Sequence, residues 1–168
     1  WILEHNPVYT AGTSSKSIDL LDKNLNVIKT NRGGKHTFHG PGQKIVYFVL
    51  NLNKREKDIR KLVSKIEKCI MDVLNEYKII SFPDKKNIGI WVGDKKNSMK
   101  IAAIGIRVKK WIAYHGFALN VCNDLSKYNG IIPCGIKDKG ITSLKKLGIK
   151  KYNNIENIIT KNFLNIFL

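Results

Sequence analysis

Residues Arg32–Gln43, Arg-Gly-Gly-Lys-His-Thr-Phe-His-Gly-Pro-Gly-Gln, constrain this chain more than any other stretch. Strand-like segments flank them, Val27–Asn31 before and Ile45–Asn51 after. A Gly-Gly pair lets backbone adopt positive φ and lets another group lie directly against it. Gly40-Pro41-Gly42 sets a sharp turn between two freer positions. A glycine-rich loop held between strands and carrying Arg and His suits a binding wall. The same residues also suit a plain hairpin loop, and the choice depends on what the rest of the chain supplies.

After this loop, Lys44–Leu52 is an almost unbroken apolar run, which predicts a strand covered on both faces. Glu56–Tyr77 carries Ile59, Leu62, Val63, Ile66, Ile70, Val73, Leu74 and Tyr77 at three- and four-residue steps, the pattern of an amphipathic helix. Cys69 sits at the edge of that stripe, as a buried inert thiol would. Ile79–Phe82, Ile88–Gly93, Lys100–Val108 and Trp111–Val121 read as successive strands, which predicts an antiparallel meander. Thr142–Leu147 can start a helix with a hydroxyl cap. Asn154–Leu168 is a final amphipathic helix. The sum is an α+β fold with a mixed or antiparallel sheet covered by helices, in one domain spanning 1–168.

Lys and Arg number 30 against 13 Asp and Glu, a net charge of +17. Such a field attracts an acidic partner, and nucleic acid is one candidate. The positive charges are mostly Lys scattered among Asn and Ile, a composition that biased base content also produces. Three cysteines without regular spacing fit a reducing compartment better than a disulfide framework. No Cys-x-x-Cys or His-x-x-x-His spacing suggests zinc. No apolar run is long enough to cross a bilayer.

Three later stretches could carry chemistry. Pro133-Cys134-Gly135 puts a thiol in a rigid turn, as an exposed nucleophile needs, although a small loop residue reads the same way. Lys100 opens the otherwise apolar and small strand Lys-Ile-Ala-Ala-Ile-Gly-Ile106. A lysine there is either desolvated, and able to shuttle protons, or at the solvent end of its strand. Ala102, Ala103 and Gly105 leave room beside that strand for a ligand chain. His115 precedes a glycine within a strand pattern, a mark of a bulge or a close approach.

Taken in order, Arg32-Gly-Gly-x-x-Thr-Phe-His-Gly-Pro-Gly-Gln43, Lys100-Ile-Ala-Ala-Ile-Gly-Ile-Arg107, His115-Gly-Phe-Ala-Leu-Asn120, Pro133-Cys-Gly-Ile136 and Thr142-Ser-Leu144 resemble the octanoyltransferases of lipoate biosynthesis. Glu4-His-Asn-Pro-Val-Tyr-Thr10 resembles an early segment of the same family. The resemblance implies the catalytic module shared with biotin and lipoate protein ligases. It implies transfer of an octanoyl group from octanoyl-acyl carrier protein to a lysine of a lipoyl domain, in 2-oxoacid dehydrogenase complexes or the glycine cleavage H protein. Under it Cys134 becomes an acyl-thioester and Lys100 lowers the thiol's pKa and moves protons. Arg32, Gly33, Gly34, Lys35, His36, Thr37, Phe38 and His39 line the acyl and carrier site, together with Ala103, Ile104, Gly105, Gly116, Phe117 and Ala118. No cofactor or metal is implied, since the thioester donor is already activated. The acidic carrier gives the +17 charge a partner without nucleic acid.

The same resemblance implies a cytoplasmic monomer and an additional N-terminal segment before Trp1. The sequence departs from the family pattern at Lys35, His36 and Phe38. A smaller or apolar residue is common at 36, and tyrosine at 38, so Phe38 is expected to remove a hydroxyl near the pocket. Two rivals remain: an ATP-using ligase of the same fold, which has no need of Cys134, and a basic nucleic-acid-binding module.

Overall fold

Alternating patterns become strands and the two long amphipathic patterns become helices. The computed structural model describes residues 1–94, 97–132 and 140–168. In chain order these form β1 (Ile2–Leu3), β2 (Val8–Ala11), β3 (Val27–Lys29), β4 (His36–His39), β5 (Gln43–Asn51), α1 (Ile59–Glu76), β6 (Ser81–Pro83), β7 (Ile90–Val92), β8 (Met99–Lys109), β9 (Ile112–Asn120), β10 (Gly140–Ile141) and α2 (Ile155–Phe167). The main sheet runs β1-β5-β9-β8-β7-β6 with antiparallel neighbours, and β10 joins β8 in parallel, so the sheet is mixed. A second sheet runs β3-β2-β4.

The core lies between the main sheet and the helices. The Asp58 side chain caps α1 by accepting from the Lys61 amide at 3.0 Å. Leu62, Ile66, Ile70, Val73 and Leu74 then point inward and are buried. At roughly 1.5–3 kcal/mol per buried aliphatic side chain, this stripe outweighs the intrinsic propensity of the helix. α2 lies beside α1 and stacks Phe163 and Phe167 on Phe48 of β5, with ring centroids 5.5 and 6.3 Å away.

Val46, Phe48 and Leu50 face these helices, while Ile45 and Tyr47 face the second sheet. The expectation that this strand is covered on both faces holds only for its first half. Val49 lies beyond the reach of the second sheet and is 74% exposed.

Two further expectations need correction. Thr142–Leu147 does not start a helix. The Thr142, Leu144 and Lys145 amides go to Lys100 O, Asn120 O and Val121 O, and the expected hydroxyl cap closes only a turn, in which the Lys146 amide donates to Ser143 Oγ and the Leu147 amide to Ser143 O. Phe38 does not face the pocket. It pairs with Tyr9 across β2 and β4, and its ring packs on Tyr9 and Tyr128 in a second small core with Ile131. A tyrosine hydroxyl at 38 would therefore have entered that core rather than the cavity.

Glycine inside β9 is explained by the sheet itself. A Cβ on Gly116 would stand 1.8 Å from the Val46 carbonyl oxygen of the neighbouring strand. The close approach anticipated there is made by protein backbone, and β9 keeps its register with β5 through it.

Candidate active site

The two sheets enclose a cavity of about 340 Å³, small for a ligand pocket. Val8 and Thr10 of β2, Thr37 and His39 of β4, and Ile28 of β3 form one wall. Ile45 and Tyr47 of β5, Ala103 to Gly105 of β8 and Gly116 to Ala118 of β9 form the other. The small residues of β8 and β9 lie side by side, Ala103 on Ala118 and Gly105 on Gly116. An open channel therefore survives where two sheets would otherwise interdigitate.

The glycine-rich loop closes one side. The Gly33 amide donates to Ile106 O at 3.2 Å, and a Cβ on Gly33 would sit 2.7 Å from that same oxygen. Gly34 has φ +88°, so any side chain there strains the loop. Arg32 lines the cavity, but its guanidinium holds the loop in shape. It donates to Thr10 O, Thr10 Oγ1, Gly33 O and Lys35 O at 2.8–3.2 Å. Lys35 pairs with Asp19 at 3.4 Å.

All four histidines of the chain, His5, His36, His39 and His115, line this one cavity. His115 pairs with Phe48, whose side chain faces the helices. Its φ of +66° turns the imidazole off that face and toward Asn31, where Nε2 meets Oδ1 at 2.6 Å. Burial, with Arg32 and Arg107 nearby, lowers its pKa. His5 Nε2 meets the Tyr47 hydroxyl at 2.8 Å. His36 is buried, and among the described residues its Nδ1 has no partner.

His39 Nδ1 meets Gln43 Oε1 at 2.7 Å. Burial pulls its pKa down to about 4, the Arg32 and His5 charges act the same way, and the Gln43 contact opposes them. The free imidazole titrates near 6.5, so between that value and about 4 the unfolded chain binds more protons than the folded one. Stability should therefore fall as pH drops through this window, by about 3 kcal/mol in full. Urea titrations from pH 7 to 4 check this. The His39→Gln protein should lose much of that dependence, and an unchanged slope would assign it to other groups.

Lys100 is 5% exposed. Its β8 segment is held between β7 and β10, which pair with Lys100 through Trp91 and Ile141. Nζ donates to Ile88 O at 3.0 Å and sits 4.7 Å from the Trp91 ring centroid. Among the described residues no carboxylate forms an ion pair with it. The desolvated alternative is thus the one the fold builds. A chamber of about 10 Å³, room for roughly one water, lies beside Lys100. Thr37, Ala103 and Ala118 border both this chamber and the main cavity.

The structure thus brings Arg32 to Thr37, His39, Ala103 to Gly105 and Gly116 to Ala118 onto one cavity, with Lys100 behind its wall. Phe38 is elsewhere, and Cys134, with Pro133, Gly135 and Ile136, lies outside the described residues. Sequence reasoning did not single out His5, Tyr47, Val8 or Thr10. The signal for His5, Val8 and Thr10 was the Glu4–Thr10 segment, whose Glu4 carboxylate accepts from the Gly42 amide at 2.7 Å and ties that segment to the Gly-Pro-Gly turn.

Among the described residues no cluster of three or more His, Cys, Asp or Glu could hold a metal ion, and no helix is long and apolar enough to cross a membrane. The family profile of the lipoyl protein ligase A/B catalytic domain matches residues 1–163. An octanoyltransferase of Wolbachia pipientis wMel is 48% identical over 169 residues, 99% of this chain and 82% of that protein. One from Ehrlichia chaffeensis (strain ATCC CRL-10679 / Arkansas) is 49% identical over 170 residues, 99% of this chain and 79% of that protein. The chain belongs to the octanoyltransferase family, within the lipoyl protein ligase A/B catalytic domain. It is an acyltransferase.

The fold of this octanoyltransferase family member extends to more distant proteins. A bipartite lipoate protein ligase from Thermoplasma acidophilum superposes with a TM-score of 0.78 at 13% identity, covering 98% of this chain and 69% of that one. The biotin protein ligase from Aquifex aeolicus in complex with biotin and ATP gives 0.60 at 17% identity, covering 94% and 68%. The expected α+β ligase-like module is therefore the observed fold.

Proposed function

We propose that the chain moves an octanoyl group from octanoyl-acyl carrier protein to a lysine of a lipoyl domain, through a thioester on Cys134. In the first half, the Cys134 thiolate attacks the donor carbonyl, the carbonyl carbon–carrier sulfur bond breaks, and the carrier thiolate leaves and takes a proton. In the second, the acceptor amine attacks the new thioester, Cys134 leaves as thiolate, and the amine nitrogen gives up a proton. Exchange of one thioester for another is close to isoenergetic, so no nucleotide is consumed.

The observation that carries this reading is a buried Lys100, without a carboxylate partner among the described residues, against the wall of the cavity. A lysine ammonium in a poorly solvated place stabilises a nearby anion far more than it would in water. A thiolate nucleophile needs such a neighbour. The alternating small residues Ala103, Gly105, Gly116 and Ala118 leave room along an apolar stretch of the cavity wall, as a saturated chain requires. Cytoplasmic location and a monomeric state belong to the same proposal.

Purified protein mixed with octanoyl-acyl carrier protein and a lipoyl domain, without nucleotide, should yield a domain octanoylated at one lysine. A strict requirement for ATP and free octanoate would point to ligase chemistry and overturn the reading.

A further inference from the structure

His115 stands at the end of the cavity that lies away from Lys100. Ala103 borders both the Lys100 chamber and the cavity, and His115 pairs across the sheet with Ile106, three residues further along β8. At about 3.3 Å per residue this separation is roughly 10 Å, close to the length of an extended octanoyl chain. Between the two levels the inward positions of β8 and β9 are Ala103, Gly105, Gly116 and Ala118, which leave the way clear.

The backbone at 115 is strained to put a ring there. Strand parity would send this side chain to the helix side of the sheet, with that of its partner Phe48, and leave the end of the cavity without a wall. A φ of +66° is costly for a residue with a Cβ and persists only where the surroundings hold it. His115 Nε2 lies 2.6 Å from Asn31 Oδ1, and the ring meets Tyr47 edge-on at 6.3 Å and Tyr114 at 5.0 Å between centroids. Asn31 is not on the cavity. It is exposed, and its own carbonyl oxygen accepts from Arg107 Nη1 at 3.1 Å. The imidazole is thus a thin partition, with the cavity on one side and Asn31 and solvent on the other. Burial, with the Arg32 and Arg107 charges, lowers its pKa, so the partition is uncharged at neutral pH.

We propose that His115 is the end wall that sets the length of acyl chain the cavity accepts, and that Asn31 is a positioning residue that holds the ring across it. This rests on the reading above, in which Lys100 stabilises the Cys134 thiolate and so marks the carbonyl end of the chain. The terminal methyl of an octanoyl group then reaches the imidazole. A longer chain must push the ring aside and break its bond to Asn31, and a shorter one leaves apolar wall uncovered.

The test loads wild type, His115→Gly and Asn31→Ala from octanoyl- and dodecanoyl-acyl carrier protein, with both rates read by intact mass. Glycine adopts positive φ freely, so His115→Gly removes the ring and keeps the backbone path. Asn31→Ala is a second variant at an exposed position, and it keeps the backbone oxygen that Arg107 holds. The ratio of dodecanoyl to octanoyl loading should rise about 10-fold or more in His115→Gly, since a single misfit methylene is worth at least that much. It should rise by less in Asn31→Ala. Rates that fall together for both chains, as a merely structural role predicts, or a ratio that stays or falls in both variants would overturn the proposal. Calorimetric binding of free octanoate and dodecanoate to the same proteins reads the wall without a covalent step and should show the same change of ratio. A shifted binding ratio with no acyl adduct on any of the proteins would uphold the end wall and overturn the thioester reading. Adducts that form with unshifted ratios would do the reverse.

Discussion

Lys100→Met should slow the acylation of Cys134 by about 100-fold, and its alkylation by iodoacetamide should shift to higher pH. A free thiol titrates near 8.5, so only a few per cent is thiolate at neutral pH. Each pH unit of midpoint shift is worth about 1.4 kcal/mol, a factor of ten in thiolate. Methionine keeps much of the stem's bulk and removes the ammonium, together with its contact with the Trp91 ring and its bond to Ile88 O. The change deletes a buried charge that has no carboxylate partner among the described residues, so it strands no opposite charge among them. Lys100→Arg should recover part of the acylation, since it restores a cation. A guanidinium cannot release its proton at working pH, so Arg should not restore any step in which Lys100 itself gives one up. An alkylation profile identical in wild type and Lys100→Met would mean that the two residues are not coupled.

Cys134→Ala should reduce octanoyl transfer by on the order of 1000-fold or more, because it removes the bond-forming atom rather than tuning it. The other two thiols make poor substitutes. Cys69 is a buried residue of α1, and burial with the nearby Asp72 carboxylate pushes its thiol up to about 12. Cys122 lies against the Gly42 turn, and neither Cys69 nor Cys122 lines the cavity. Transfer assays across at least three decades of rate check the prediction, with far-UV circular dichroism reporting the fold. Substantial turnover by the Ala protein would exclude covalent catalysis at this position.

Local rules were enough wherever a residue's role is set by its neighbours in sequence. The α1 stripe, the meander β6-β7-β8-β9 and the small residues of β8 were legible because period and side-chain size decide them. The glycine-rich loop was legible as a wall, since Gly33 admits no Cβ against Ile106 O. Lys100 was ambiguous in sequence because strand parity says nothing about what covers a strand end. Two strands far apart in the chain, β7 and β10, bury it.

Phe38 misled for a related reason. Adjacent motif residues point to opposite faces of β4, so membership of a motif did not mean membership of the cavity wall. Thr142–Leu147 forms a capped turn rather than a helix, and nothing local reveals that Lys100, Asn120 and Val121 would claim its Thr142, Leu144 and Lys145 amides. The contact of His39 with Gln43 was out of reach altogether. It depends on contacts that span 77 residues from Gln43 to Asn120 and 22 from Asn120 to Thr142.

The most direct measurement is intact-mass analysis of the wild-type chain after brief exposure to octanoyl-acyl carrier protein, without nucleotide or acceptor, followed by peptide mapping. The account predicts one octanoyl adduct, labile to hydroxylamine as a thioester is, confined to Cys134 and lost on addition of a lipoyl domain. No adduct, or one on Lys100 or Cys122 that a lipoyl domain leaves in place, would contradict it.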